Sequence, residues 1–393
     1  MRLLVQVLVV ARLGLSTLLL RKGSAMVIVL SMACVVGVLL SVLSVTAGLF
    51  RAYEIAGSPD RALVFSADAY PAQGGRAEEG SRVPQEAIGV LVGAPGLARG
   101  AEGNPLMAAE SLALLPPADG FASGSLFVRG VAANSLAMRP EFRLTEGRLF
   151  RPGLHEMIVG AGAARMFGFK VGDRIIMPDG EWPIVGAFSA GGGIIESQLI
   201  SDAETVMSTV KRTTAFNSVL VGLENAESFD TFRDWLTSNP AVSLTAERQS
   251  DYYRLAARRL SGFFTAVACL VGVIMALGAL FGSVKILRAA VDSRSREIAT
   301  LRAIGYDAVP VATSVVLEAI VLSLAGALIG AGGARILFDG RTEAIFNAVF
   351  ALSVSPALVG LGVVWAVLIA AAGALAPAVR SARLPVAAAL RQA

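Results

Sequence analysis

The chain has 393 residues, 55% of them hydrophobic and only 16% charged, with a formal net charge of +4 and a mean hydropathy of +0.66. That balance is too apolar for an ordinary soluble domain and indicates a membrane protein. Both cysteines, Cys34 and Cys269, fall in apolar runs, and the single histidine, His155, has no second histidine or nearby cysteine, which argues against a disulfide framework and against a His/Cys zinc site.

Residues 1–24 begin MRLLVQVLVVARLGLSTLLLRKG, with Arg2, Gln6, Arg12 and Ser16 spaced along an apolar segment. They are expected to form an interfacial helix on the inner leaflet. Residues 25–49 carry no charge and read as the first transmembrane helix. The run is about twice as long as the apolar core of a signal peptide, and no small-residue cleavage site follows, so this span is read as uncleaved.

Residues 50–260 form a separate region, long enough for its own hydrophobic core. Over 51–260 it carries 20 Lys and Arg against 24 Asp and Glu, a net of −4, and no cysteine. The pattern predicts a strand over 61–70 and a helix over 83–98 ending near Pro95-Gly96. A strand is expected over 125–131, and a strand, glycine turn and short helix over 155–169. Two strands flank Asp179-Gly180 within 171–189. A strand over 216–223, an amphipathic helix over 224–239 with Phe229, Phe232 and Leu236 on one side, and a strand over 241–247 complete an α+β domain. His155 precedes a strand and reads as a surface or structural residue. The run Gly191-Gly192-Gly193 lacks a following lysine or a clear helix start, and reads as a flexible loop.

The sequence SDYYRLAARRL (250–260) is helical and continues into a second apolar run, 261–284, with no breaker between them. Tyr252, Tyr253, Arg254 and Arg258 mark this stalk. A helix shared by the domain and a span is a lever, because neither end moves independently of the other.

The loop 285–308 is charged and patterned. Ile298, Leu301 and Ile304 recur every three residues, with Leu287 further back; Asp292 and Arg296 form an i, i+4 pair; Gly305 is placed to end a helix. The expectation is a short cytoplasmic helix, either lying on the headgroups or docking a partner. The third span, 309–334, holds one charge, Glu318. A carboxylate there costs a few kcal/mol if exposed to lipid, so it should face protein or reach the inner surface; a functional role and a buried hydrogen bond both fit. Gly326 and Gly330 have the spacing that permits close helix approach. Residues 335–355 are a short outer loop. The last span, 356–379, begins at Pro356, which suits a first helical turn, and 380–393 form a tail.

Lys and Arg beside the spans set the orientation. Arg2, Arg12, Arg21 and Lys22, then Lys285, Arg288, Arg294, Arg296 and Arg302, then Arg380, Arg383 and Arg391 outnumber the six arginines on the opposite flanks. Both termini are therefore expected in the cytoplasm and the large domain outside. The basic pI, near 9.3, comes from charge beside spans, where anionic lipid accounts for it without nucleic acid. The sequence has no nucleophile elbow, zinc motif, nucleotide fingerprint or P-loop.

SREIATLRAIG, then VLEAIVLSLAGALIGAGGA and the closing PAVRSARLPVAAALR, resemble the permease family that includes MacB, LolC, LolE and FtsX. GRLF…IVGAGAARMFGFKVGDRI…WPIVGAFS (147–189) is similar to the periplasmic core of MacB-type members, whereas 60–145 match only loosely. The resemblance implies an ABC transporter permease of the mechanotransmission type in a bacterial inner membrane. It implies four transmembrane helices with an α+β periplasmic domain between the first and second. It further implies a dimer with a second copy or a paralogue, and two ATP-binding subunits docked on the loop between the second and third spans. On this chain that loop maps to Ser293, Arg294, Arg296, Glu297, Ile298, Leu301, Arg302, Ile304, Gly305 and Tyr306. MacB carries its ATPase before its first span; with only about 24 residues there, the ATPase is expected as a separate chain, holding the ATP and Mg, while this chain binds no cofactor or metal and is not an enzyme.

The function expected is a permease subunit that expels a substrate, handing it to a periplasmic adaptor and an outer-membrane channel. One rival is an FtsX-like regulator that activates a cell-wall hydrolase. Another is a membrane sensor, disfavoured because the longest cytoplasmic pieces are about 24, 23 and 14 residues. An intramembrane enzyme is weaker, since no partner for Glu318 is evident in the sequence.

Overall fold

The computed structural model describes residues 22–69, 77–115, 126–177, 179–211, 214–293, 299–300, 303–304, 307–345 and 348–382. The expected interfacial segment therefore lies outside the described residues, apart from its last three. The chain divides into two compact units. One comprises Met1–Ala47, Phe263–Arg341 and Ser353–Ala393; the other comprises Gly48–Gly262 and Thr342–Leu352.

The first element, α1 (Lys22–Ala56), is a single helix that extends past the first apolar run. β1 (Arg61–Ser66) follows, buried along its whole length. A short helix α2 (Ala77–Gly80) and the two-residue strand β2 (Val83–Pro84) lead into α3 (Gln85–Leu91). The helix expected over 83–98 is thus much shorter. It stops at Leu91 and the chain turns through Pro95 and Gly96, the latter at φ +76°. The misreading has a cause: Leu91, Ala94 and Leu97 all stay buried in one core, so the apolar spacing persists after the helix has ended.

β3 (Met107–Leu115) and β4 (Leu126–Val131) pair antiparallel. Then come α4 (Ala133–Ala137), β5 (Arg143–Gly147), β6 (Met157–Gly160) and α5 (Ala161–Phe167), which ends on Gly168 at φ +75°. β7 (Arg174–Met177) and β8 (Gly180–Ser189) make the expected hairpin, but Met177 faces Gly180, so Gly180 opens the second strand. Asp179 is used instead as a tie: its carboxylate accepts from Trp182 Nε1 at 3.0 Å and Thr209 Oγ1 at 2.6 Å. A 3₁₀ turn (Ile194–Ser197), β9 (Leu199–Asp202), α6 (Ala203–Thr209), β10 (Ala215–Phe216), β11 (Ser218–Gly222), α7 (Ser228–Ser238) and β12 (Leu244–Arg248) complete this part.

Ten strands form one mixed sheet in the order β12-β1-β11-β3-β4-β9-β6-β8-β5, with β7 on β8. The β4–β9 and β6–β8 pairs are parallel and the others antiparallel. Alternation along the strands divides the apolar side chains. Ala62, Val64, Val219 and Val221 pack with Phe229, Phe232 and Leu236 of α7. A second core joins Val128, Met157, Val159, Trp182 and Leu199 with Ala163 of α5 and Val206 of α6.

α8 (Gln249–Ser293) is one continuous helix of 45 residues, about 67 Å long at 1.5 Å per residue. It covers both the helix expected at 250–260 and the second apolar run. α9 (Ala308–Phe338) and α10 (Pro356–Ala382) enclose a hairpin, β13 (Thr342–Ile345) and β14 (Ala348–Ala351). Residues 335–355, read from sequence as a plain loop, therefore contain a β-hairpin, and it belongs to the same unit as the large sheet.

Among the described residues, four helices are long and apolar enough to cross a membrane: Ala25–Ala56, Gln249–Ser293, Ala308–Phe338 and Pro356–Ala382. Within their unit, α9 lies along α10, and the buried Ser323 Oγ donates to the Ala366 carbonyl at 2.9 Å. α9 also meets α1 through its glycines. A Cβ built on Gly330 would come within 2.3 Å of the Ala33 carbonyl oxygen, and one on Gly326 within 2.5 Å of that of Val29. Only glycine allows that backbone approach.

Candidate functional site

The stalk begins on the sheet. Glu247 of β12 pairs with Leu63 of β1, and Gln249 two residues later starts α8. Leu63 and Phe65 point to the side of β1 opposite α7, and there Tyr252 packs on Phe65, ring centroids 5.3 Å apart. Tyr253 meets Tyr53 of α1 at 6.1 Å. Both stalk tyrosines are buried, at 4% and 5% exposure. Arg254 and Arg258 are exposed instead. Arg254 pairs with Asp251, and the Arg258 carbonyl accepts from Ser261 Oγ at 3.2 Å.

Beneath the tyrosines lies a buried charge network that the sequence reading missed. Glu110 comes from the middle of β3, Arg129 from β4, Arg139 and Ser135 from the segment after β4, and Glu78 from α2. Arg139 grips Glu110 with both Nη atoms, at 2.7 Å to Oε1 and 3.0 Å to Oε2. Arg129 Nη1 reaches Glu110 Oε2 at 2.8 Å, and the same guanidinium clasps both oxygens of Glu78, at 3.0 Å through Nη2. Ser135 Oγ donates to Glu110, Ser218 Oγ to Glu78 at 3.2 Å, and Asn217 Nδ2 to the Glu78 carbonyl at 2.8 Å.

Two carboxylates and two guanidiniums balance each other out of water. Burial by itself would raise the Glu110 carboxyl, but Arg139 and Arg129 outweigh it and hold it at about 2. Burial would likewise lower Arg129, yet Glu78, Tyr253 and Glu110 keep it well above its ordinary range. Burial pushes the Tyr253 hydroxyl up to about 12, so it stays neutral. The network therefore links α2, β3 and β4, and Tyr252 in the first turn of the stalk hydrogen-bonds the Glu78 backbone. Its signal in the sequence is an acid inside MAAESLALL and an arginine inside SLFVRGV: a lone charge within an apolar strand implies a buried partner.

The Gly191–Gly193 run, read from sequence as a flexible loop, makes a turn closed on a carboxylate of the chain itself. Gly191 and Gly192 adopt φ of +66° and +83°, values that glycine alone takes readily. The turn they make wraps the carboxylate of Glu196. Its Oε1 accepts from Ser189 Oγ at 2.6 Å, from the Ala190 N–H at 2.6 Å and from the Gly192 N–H at 2.9 Å. The missing lysine is explained, because the ligand of this turn is the chain's own acid.

Of the loop residues singled out from sequence, Arg294, Arg296, Glu297, Ile298, Leu301, Arg302, Gly305 and Tyr306 lie outside the described residues. Ser293 ends α8 and its Oγ donates to the Ala290 carbonyl at 3.0 Å. Ala299 is buried, whereas Ile304 is 72% exposed, its N–H donating to the Thr300 carbonyl at 3.1 Å. Asp292 pairs with Arg380 of α10 at 3.3 Å. Glu318 is buried on α9, on the protein side of that helix. His155 stacks on Trp182, ring centroids 4.9 Å apart, with its Nε2 3.4 Å from Asp179. Among the described residues no group of three His, Cys, Asp or Glu side chains could hold a metal ion.

Among the described residues, four long apolar helices together with a mixed α/β unit suggest a membrane protein. Residues 269–386 match the family model for the FtsX-like permease C-terminal domain. The match spans 118 of the 393 residues and takes in α9, α10, the loop before them and the lower part of α8. It supports a permease-type role for that part of the chain. No curated protein matches the chain. Among solved structures, the extracellular domain of the noncanonic ABC-type transporter YknZ from Gram-positive bacteria is 14% identical, covering 48% of this chain and 99% of its own, with a TM-score of 0.35.

Proposed function

We propose that this chain is the non-catalytic permease subunit of an inner-membrane ABC exporter. A separate ATP-binding subunit, holding ATP and Mg, docks on the 293–306 loop; its closure moves α8, and α8 moves the outer unit to expel a substrate. The observation that carries this reading is α8 itself. It is one helix that begins in the sheet unit, continues through an apolar span and ends at the patterned loop, and its lower part opens the region similar to FtsX-like permeases. A motion at Ser293 has no break in which to dissipate before Gln249. The permease works as a dimer with a second copy or a paralogue, and its outer unit faces the periplasm and hands cargo to an adaptor and an outer-membrane channel.

Cross-linking from positions 293–306 in native membranes, followed by identification of the captured chains, tests the reading. An ATP-binding subunit at the loop supports it, and an adaptor on the outer unit supports export. A cell-wall hydrolase on the outer unit instead of an adaptor would replace export with regulation of that hydrolase. Absence of any ATP-binding chain at the loop in a folded protein overturns the proposal and leaves a sensor as the better reading.

A further inference from the structure

The chain passes between its two units four times: within α1, within α8, and at each end of the β13–β14 hairpin. Within the sheet unit, one short stretch, Ala190–Gln198, reaches two of these pieces, α1 and the hairpin, and also touches Arg129 of the buried charge network. Gly193 lies on the last turns of α1, where a Cβ would sit 3.2 Å from Ile55 Cγ2 and 3.6 Å from the Ala52 carbonyl oxygen. Ser197 clasps the hairpin: the Val349 N–H donates to its Oγ at 2.7 Å, and the Oγ lies 3.3 Å from the Val349 carbonyl. Gln198 Oε1 accepts from Arg129 Nε at 2.8 Å, and Arg129 holds Glu78 beside the stalk tyrosines.

The stretch rests on a glycine floor. A Cβ on Gly160 would meet the Glu196 carbonyl oxygen at 2.2 Å, and one on Gly162 would meet that oxygen at 2.9 Å and Val349 Cβ at 3.0 Å. Neither position has room for a side chain without moving backbone. The stretch is held in shape from inside by Glu196, 4% exposed, whose carboxylate gathers Ser189, Ala190 and Gly192.

We infer that Glu196 is a positioning residue that makes the α1 and hairpin attachments one mechanical joint, so that the end of α1 and the hairpin respond together and not one by one. The inference rests on the permease reading for its purpose, but the joint is a property of this chain alone. It is built from contacts that share a strut: the glycine turn seats α1 and the 3₁₀ turn seats the hairpin, and both belong to one short stretch shaped by one carboxylate. Rigid elements with shared, discrete contacts are the physical carriers of coupling between distant sites.

The test is amide hydrogen exchange on the full chain in lipid nanodiscs, with no ATP-binding partner added, so a missing partner cannot produce a negative. For Glu196→Ala the expected result is at least tenfold faster exchange at three places together: 190–193, 52–56 and 348–351. β3, β4 and β11 should be unchanged. Glu196→Gln, which keeps an acceptor oxygen, should restore most of the protection. Faster exchange at 190–193 alone would overturn the inference, since Glu196 would then serve only its own turn. Should Glu196→Ala unfold the whole unit, Ser197→Ala decides: loosening that spreads from the hairpin to 52–56 supports a joint, and loosening confined to the hairpin refutes it.

Discussion

Arg139 Nη1 donates to Glu110 Oε1 at 2.7 Å, with both side chains essentially out of water. Removing one partner leaves a charge with no solvent to accept it, which is the costly way to break a buried pair. Glu110→Gln, which leaves Arg139 without its carboxylate and Arg129 with Glu78 alone, is expected to destabilise the outer unit by about 3–5 kcal/mol. Thermal unfolding of the full chain in detergent, read by the fluorescence of its three tryptophans, checks this. An unchanged midpoint would mean that the network is not closed in solution.

The same pair sets an acid limit. The folded Glu110 pKa, about 2, lies below its ordinary 4.5. The unfolded chain therefore binds the extra proton first, and the stabilisation present above pH 4.5 is lost as pH falls toward 2. The unfolding midpoint of the wild type should drop through that window, and that of Glu110→Gln should drop less.

Glu247, at the start of the stalk, has the opposite sign. Its Oε2 is buried without a hydrogen-bond partner, and burial, then the neighbouring Asp251, raises its carboxyl from 4.5 to about 7. Between those values the folded state holds more protons than the unfolded, so stability falls as pH rises through the window and is regained on acidification. The midpoint should be higher at pH 5.5 than at pH 8, and Glu247→Gln should flatten that difference. A flat wild-type profile would count against a buried acid at this joint.

Glycines on α9 divide by what faces them. A side chain on Gly330 meets the backbone of Ala33, which cannot yield, whereas Gly333 has nothing within 4 Å. Gly330→Val is expected to cost about 1–3 kcal/mol through forced separation of α9 from α1. Gly333→Ala should be neutral or stabilising by up to about 1 kcal/mol, because alanine is the better helix former. Unfolding midpoints of the two variants in the same detergent give the comparison.

Leu301→Asp addresses the permease reading. A carboxylate on the apolar stripe of the loop should uncouple ATP hydrolysis from transport and leave the fold intact. Transport at the wild-type rate by a folded Leu301→Asp protein would refute docking at this loop.

Much of the fold was legible because much of it is local. A span needs only about 20 apolar residues in a row, so 25–49, 261–284, 309–334 and 356–379 stand out with no knowledge of neighbours. The stripe Phe229, Phe232 and Leu236 marks α7 in the same way, and alternation around Gly180 marks the hairpin. β5 was missed because all five of its residues are exposed, so no apolar alternation marks it. β3 was missed because MAAESLALL suits a helix as well as a strand; pairing to β4 and β11 decides it.

By itself, then, the sequence determined the class of protein: the apolar runs, the continuous stalk and a domain of mixed helices and strands. Each of these is a property of a few adjacent residues. Only the tertiary structure decided where the chemistry gathers. Glu110 and Arg139 are 29 positions apart, Glu78 and Arg129 are 51 apart, and Ser197 and Val349 are 152 apart. A polar group is costly to bury away from its complement, and no periodicity in a local window says which distant residue that complement is.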